Sequence, residues 1–277
     1  MTSSGDPRRD LEAAKNAKLV HEARKAIKRM RALARLLRGE MGDEQFHRVN
    51  SLLRESGRRL AASRDAEVRL ATLSRLTTRH PKALALEGIG RLRAQLEAER
   101  AQADVPAHGS TSRRQALDDV ADMRRELSRW NLLDTDFRAL APGLRRIYRE
   151  GRLRYERVER QRARPKDLHD WRKRVKALYY ALEMLGGANA KGTRRQTSRA
   201  EHLGEMLGEE HDLWMLALYV QEHPRALGED DRAAETLAEL IEKRRERLRE
   251  RALAAGARVY ADPPDEFTRR VGKAICR

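Results

Sequence analysis

The chain is 277 residues long and has a single cysteine, Cys276, near its end. One thiol excludes an intramolecular disulfide and any multi-cysteine zinc site. No stretch approaches the ~20 consecutive apolar residues of a membrane span. The opening MTSSGDPRRDLEAAKNA has no apolar core of the kind a secretory signal needs. Aromatic residues make up only 4% of the chain, and all but Phe46 follow residue 108. No His-Glu-x-x-His, Walker-type loop, Gly-x-Ser-x-Gly elbow or Glu-x-Glu-x-Lys strand is present, so no catalytic chemistry is implied. These absences predict a reduced, soluble, cytoplasmic protein that is not an enzyme and needs no cofactor or metal.

What the chain does have is positive charge. Sixty Lys and Arg against 43 Asp and Glu leave a net charge of +17, and both halves share the excess. Such a balance attracts polyanions. Apolar residues recur at three- and four-residue spacing, whereas the alternation of a β-strand is nearly absent. Pro81, Pro106, Pro142, Pro165, Pro224 and Pro263–Pro264 read as helix boundaries. The spacing predicts helices near 9–38, 43–62, 64–79, 82–103, 112–131, 136–162, 166–186, 191–210, 211–223, 229–256 and 265–275. The fold class is all-α, with antiparallel helices joined by short loops.

The chain repeats itself. His21-Glu-Ala-Arg24-Lys25-Ala-Ile-Lys28 returns 148 residues later as His169-Asp-Trp-Arg172-Lys173-Arg-Val-Lys176, with four of eight positions identical. Gly57-Arg58-Arg-Leu60-Ala-Ala-Ser-Arg64-Asp65 returns 147 residues later as Gly204-Glu-Met-Leu207-Gly-Glu-Glu-His211-Asp212. On a helical wheel His21, Arg24, Lys25, Lys28 and Arg35 fall within ~60° of one line. Leu19, Ala23, Ile27, Met30, Leu33, Ala34 and Leu37 take the other side. The second copy sets His169, Arg172, Lys173 and Lys176 opposite Trp171, Val175, Leu178, Leu182 and Leu185. Only 11 of the 60 basic residues are lysine, yet four of those 11 stand in these stripes. Like charges four apart destabilise an isolated helix by ~0.2–0.5 kcal/mol per pair. The recurrence of that cost suggests a counter-anion.

This pattern resembles the CHAD domain, a histidine-containing α-helical family, over residues 10–275. The stretch Tyr148-Arg149-Glu150-Gly151-Arg152 is similar to that family's Tyr-Arg-x-Gly-Arg segment. The resemblance implies two four-helix-bundle-like repeats related by a pseudo-two-fold axis around a central basic channel. The expected organisation is a flexible 1–9, a first repeat 10–103, a linker 104–111, and a second repeat 112–275 with extra helices. It further implies binding of inorganic polyphosphate in the channel, association with polyphosphate granules, and proteins of polyphosphate metabolism as partners. The core ligands would be His21, Arg24, Lys25, Lys28, His169, Arg172, Lys173 and Lys176. Arg31, Arg35, Arg58, Arg64, Arg145, Arg149, Arg152, Tyr180 and His211 form a second tier. The repeats are unequal, because His211 stands where the first copy has Arg64, and 145–152 has no clear counterpart.

Three other readings stand beside this one. The excess charge suits a nucleic-acid backbone, for which Tyr148, Tyr155, Tyr179 and Tyr180 would offer stacking surface. A helical scaffold for acidic proteins is another. His211-Asp212 also has the look of the paired ligands of a metal phosphohydrolase, although its counterpart Arg64-Asp65 cannot hold a metal. Asp65 and Asp212 read more simply as structural carboxylates that cap a helix N-terminus or orient a nearby cation. Both stripe histidines start near a pKa of ~6.5, and a neighbouring polyanion would favour their charged form. Binding is therefore expected to be tighter at pH 6 than at pH 8.

Overall fold

The computed structural model describes residues 7–60, 62–103, 110–128, 136–160, 164–186 and 190–275, and among them all regular structure is helical. The helices are α1 (Pro7–Leu36), α2 (Arg38–Met41), α3 (Asp43–Arg59), α4 (Ala62–Arg79), α5 (Glu87–Ala103) and α6 (Ser110–Ser128). After these come α7 (Phe137–Arg160), α8 (Pro165–Gly186), α9 (Ala190–Glu222), α10 (Asp231–Val259) and α11 (Pro264–Ile275). Pro106 and Cys276 lie outside the described residues. Pro7, Pro165 and Pro264 open helices, where a fixed φ and a missing N–H carry no penalty. Pro142, expected to end a helix, instead sits on the exposed side within the first turns of α7.

Two further boundaries differ from the sequence reading. α5 starts at Glu87 rather than near 82. Asp230, from the loop before α10, accepts from Gly88 N at 3.0 Å and from Ala233 N at 2.9 Å, so one carboxylate caps both α5 and α10. The helices expected over 191–210 and 211–223 are a single 33-residue helix, α9. No proline interrupts that stretch, and two glutamates in its middle are held by arginines of α10. Arg244 grips Glu209 at 2.8 and 2.9 Å, while Arg245 and Arg249 converge on the buried Glu210. Asp212 therefore lies mid-helix rather than at a helix N-terminus, and it faces the cation of Arg75 of α4 at 3.8 Å, the second of the two roles expected for it.

Packing does not follow the order of the chain. α1, α3 and α6 enclose a small cluster containing Ile27, Leu33, Phe46, Val49, Leu53, Val120 and Met123. Leu73, Leu76 and Leu92 of α4 and α5 join a larger cluster with Trp171, Leu203, Leu216, Leu237 and Phe267. Helices from the first hundred residues thus complete a core built mostly by the last hundred and forty. α1 belongs to both clusters, presenting Leu33 to one and Leu36 to the other. Leu19, expected on its apolar side, is 56% exposed.

α1 is flanked by α7 and α8. The α7 crossing brings backbones together: a Cβ on Gly143 would collide with the carbonyl oxygen of Leu36. No side chain can fit there. Gly143→Ala should cost at least ~2 kcal/mol in denaturant unfolding, because the obstacle is backbone that cannot swing aside. Gly90→Ala is the matched control, exposed in α5 with no atom within 4 Å of its would-be Cβ. It should stabilise by ~0.5–1 kcal/mol.

Candidate functional site

α1 and α8, the helices bearing the two stripes, pack directly on one another. Arg29 meets Glu183, whereas Arg31 and Arg35 come near Arg174, so the two helices run antiparallel. At 1.5 Å per residue this register sets His21 and His169 roughly 30 Å apart, at opposite ends of the pair. The middle of the pair is closed. Ala32 and its 148-offset counterpart Tyr180 are both buried, and Tyr180 lies edge-on to Tyr179 at 4.9 Å.

The second stripe is gathered against α9. The His169 and His211 rings lie 4.4 Å apart at 31°, with Trp214 beyond them at 5.6 Å from His211. Lys176 crosses the face of α9 over Gly204, where a Cβ would come within 3.2–3.3 Å of its Cε, Cδ and Nζ. Its ammonium also sits 5.7 Å from the centre of the Tyr179 ring. Arg172 lies over Gly208, with Nε 3.8 Å from that would-be Cβ. Gly204, Gly208 and His211 therefore form one face of α9 on which the cations of α8 rest. Lys173 points outward, 58% exposed, with Asp170 at 3.4 Å.

The crowding is legible in the protonation equilibria. Burial, then Arg172, His169 and Lys173, push His211 down to about 4. Burial followed by Lys173 and Arg172 lowers His169 as well, and its Nδ1 is buried with no hydrogen-bond partner. His211 is thus neutral at pH 6 in the free protein. Arg35 is driven down to about 10 by burial, with Arg31 and Arg174 adding to the effect. Arg31 is lowered by burial, Arg54 and Arg174.

The first stripe is more open. His21 and Lys28 are exposed, and Lys25 is half-buried. Arg24 donates from Nη1 to the Leu60 carbonyl at 2.5 Å, closing the end of α3. In this copy the helix breaks between α3 and α4, whereas α9 runs through. Arg31 donates to Asn50 Oδ1 at 3.1 Å and Arg35 to the Arg31 carbonyl at 3.1 Å. The remaining candidates are spread elsewhere. Arg58 pairs with Glu55 on the surface of α3, and the side chain of Arg64 lies outside the described residues. Arg145 is joined to Asp265 of α11, and Arg149 is exposed on α7.

Arg152 donates to the Asp262 carbonyl at 2.8 Å and meets Glu156 at 3.0 Å. Its neighbour Tyr148 is buried and donates to the carbonyls of Val259 and Asp262. The Tyr-Arg-x-Gly-Arg segment thereby fastens the turn between α10 and α11. Gly208, Arg29, Arg54, Arg174 and Glu183 were not singled out by sequence. The last four act through contacts between helices remote in the chain, which periodicity does not register.

Among the described residues no three His, Cys, Asp or Glu side chains are arranged to hold a metal ion, and His211 and Asp212 have other neighbours. Residues 8–221 match the CHAD domain family. The chain belongs to that family. The match takes in all but the first residue of α1, all of α2–α8 and all but the last residue of α9, and with them both stripes; α10 and α11 lie beyond it. No curated protein and no solved structure matches the chain. Among the described residues no helix is long and apolar enough to cross a membrane.

The depressed histidines have a consequence for stability. Unfolded, both imidazoles titrate near ~6.5; folded, His211 titrates near about 4. Between those values the unfolded chain binds protons that the folded chain refuses, so stability is complete above ~6.5 and declines as pH falls toward about 4. The melting temperature should drop between pH 7 and pH 5, before most carboxylates titrate. His211→Asn should flatten that slope, as read in parallel melts at the two pH values.

Proposed function

We propose that this CHAD protein binds inorganic polyphosphate without catalysing a reaction, along a cationic path whose ends are the two stripes. One observation carries the reading: His169, Arg172, Lys173, Lys176 and His211 are assembled from two helices, with glycines on α9 making room for the long cations. Like charges brought together at such a cost are suited to an anion that neutralises several at once. A phosphate chain carries roughly one charge per phosphate, and binding it releases its condensed counterions. Arginine would grip two oxygens and lysine would act as a mobile point charge.

The reading includes two repeats related by a pseudo-two-fold axis near the α1–α8 crossing, with the path running as a channel past it. The burial of Ala32 and Tyr180 at equivalent positions is consistent with such an axis. Cytoplasmic residence, recruitment to polyphosphate granules and contact with proteins of polyphosphate metabolism belong to the same proposal. Nucleic acid is the rival ligand. The burial of Tyr148, Tyr155 and Tyr180 leaves little aromatic surface on which bases could stack.

Calorimetric titration at ~0.15 M salt should show strong binding of long-chain polyphosphate and weak binding of single-stranded DNA of matched charge. Equal affinity would give the lead to nucleic acid. Lys28→Glu combined with Lys173→Glu, both at exposed positions, should weaken polyphosphate binding at least tenfold with the helical circular dichroism unchanged. The histidines sharpen the pH expectation: affinity should rise chiefly between pH 7 and pH 5, with little change from pH 8 to pH 7. A polyanion would favour proton uptake by rings that the free protein keeps neutral.

A further inference from the structure

We infer that Glu183 is a built-in competitor of the polyanion at the first stripe, an affinity-setting carboxylate. The inference rests on the polyphosphate reading. Glu183 stands on α8 and reaches across to α1, where both carboxylate oxygens accept from Arg29, at 3.0 and 2.8 Å. The ion pair is only partly sheltered, with the arginine side chain 44% and the glutamate 26% exposed. Lys25, one helical turn before Arg29, also acts on the carboxylate, and the Tyr179 hydroxyl approaches at 3.5 Å. The Arg29 hydrogen bond, with help from Lys25, holds Glu183 below the usual carboxylate range, so it is ionised at neutral pH.

A carboxylate held bidentately by an arginine and flanked by a lysine occupies the kind of place a phosphate would take. The second stripe has an acid of its own in Asp170, which meets Lys173 at 3.4 Å, but that contact lies within one helix. Glu183 differs in reaching from α8 to α1 and in engaging Arg29 through both oxygens. A phosphate chain at this place competes with Glu183 for Arg29 and Lys25.

The test uses the full chain and polyphosphate of defined length. Glu183→Gln preserves the shape and an acceptor for Arg29 while deleting the charge. Polyphosphate should bind this variant about three- to tenfold more tightly, as expected for removing one partly exposed repulsive charge. The dependence of log affinity on log salt should steepen by about one, because one more cation releases a counterion. Arg29→Gln should act oppositely and weaken binding, since it leaves the carboxylate facing Lys25 and the ligand. If Glu183 only fastens α1 to α8, both variants lower the melting temperature and neither tightens binding; that result overturns the inference. Wild-type binding with unchanged or weaker binding by Glu183→Gln does so while sparing the polyphosphate reading. A wild-type protein that ignores polyphosphate overturns both.

Discussion

Everything in this protein has to accommodate the contact between two helices that are both strongly cationic. α1 and α8 cannot meet along their full basic faces without prohibitive repulsion, and the structure shows how they meet at all. They cross where the stripes are interrupted by Ala32 and Tyr180. On one side of the crossing Glu183 neutralises Arg29; near the other, Glu150 meets Arg174 at 2.7 Å. Away from these points the charge is left gathered, and burial first, then neighbouring cations, lowers the basicity of Arg31, Arg35, His169 and His211. The site and the α1–α8 contact are the same problem, solved once.

Holding α9 in place is the second requirement. Its Gly204–Gly208–His211 face must lie close against α8, and cations there push the two helices apart. Acids on other faces of α9 oppose that push. Glu209 is shared between Arg244 of α10 and Arg79 of α4, while Glu210 is buried between Arg245 and Arg249. A buried carboxylate with two arginines stabilises little in isolation, but removing either side leaves an uncompensated charge and costs several kcal/mol. The segment beyond the family match is thus what braces the matched part.

Periodicity sufficed to read the helical class and most helix positions, because each apolar stripe is a local property of its own segment. The repeat made the two stripes visible and pointed to His211. Contacts between distant segments were not visible. The break between α3 and α4 was read from the sequence, but nothing at His211 announces that α9 runs through, where arginines of α10 hold Glu209 and Glu210. Arg152 and Tyr180 carried the right chemistry for ligands, yet one is committed to a backbone carbonyl and the other is buried. Wheel geometry also set Leu19 on an apolar face that has nothing to pack against at that level.

The interleaved cores bear on how the chain folds. The small cluster of α1, α3 and α6 has its buried residues no later than Met123, with Leu140 and Met184 packing against it from later helices. The leucines of α4 and α5 must wait for α9 and α10, more than a hundred residues downstream. During synthesis an amphipathic hairpin therefore emerges long before its cover does. Its closure brings together segments of large sequence separation, which slows folding relative to bundles built from neighbouring helices. The native contacts of α4 and α5 are sealed only when the arginine-bearing helix from residue 231 onward has left the ribosome, so in this chain helices within the family match wait for a segment that lies beyond it.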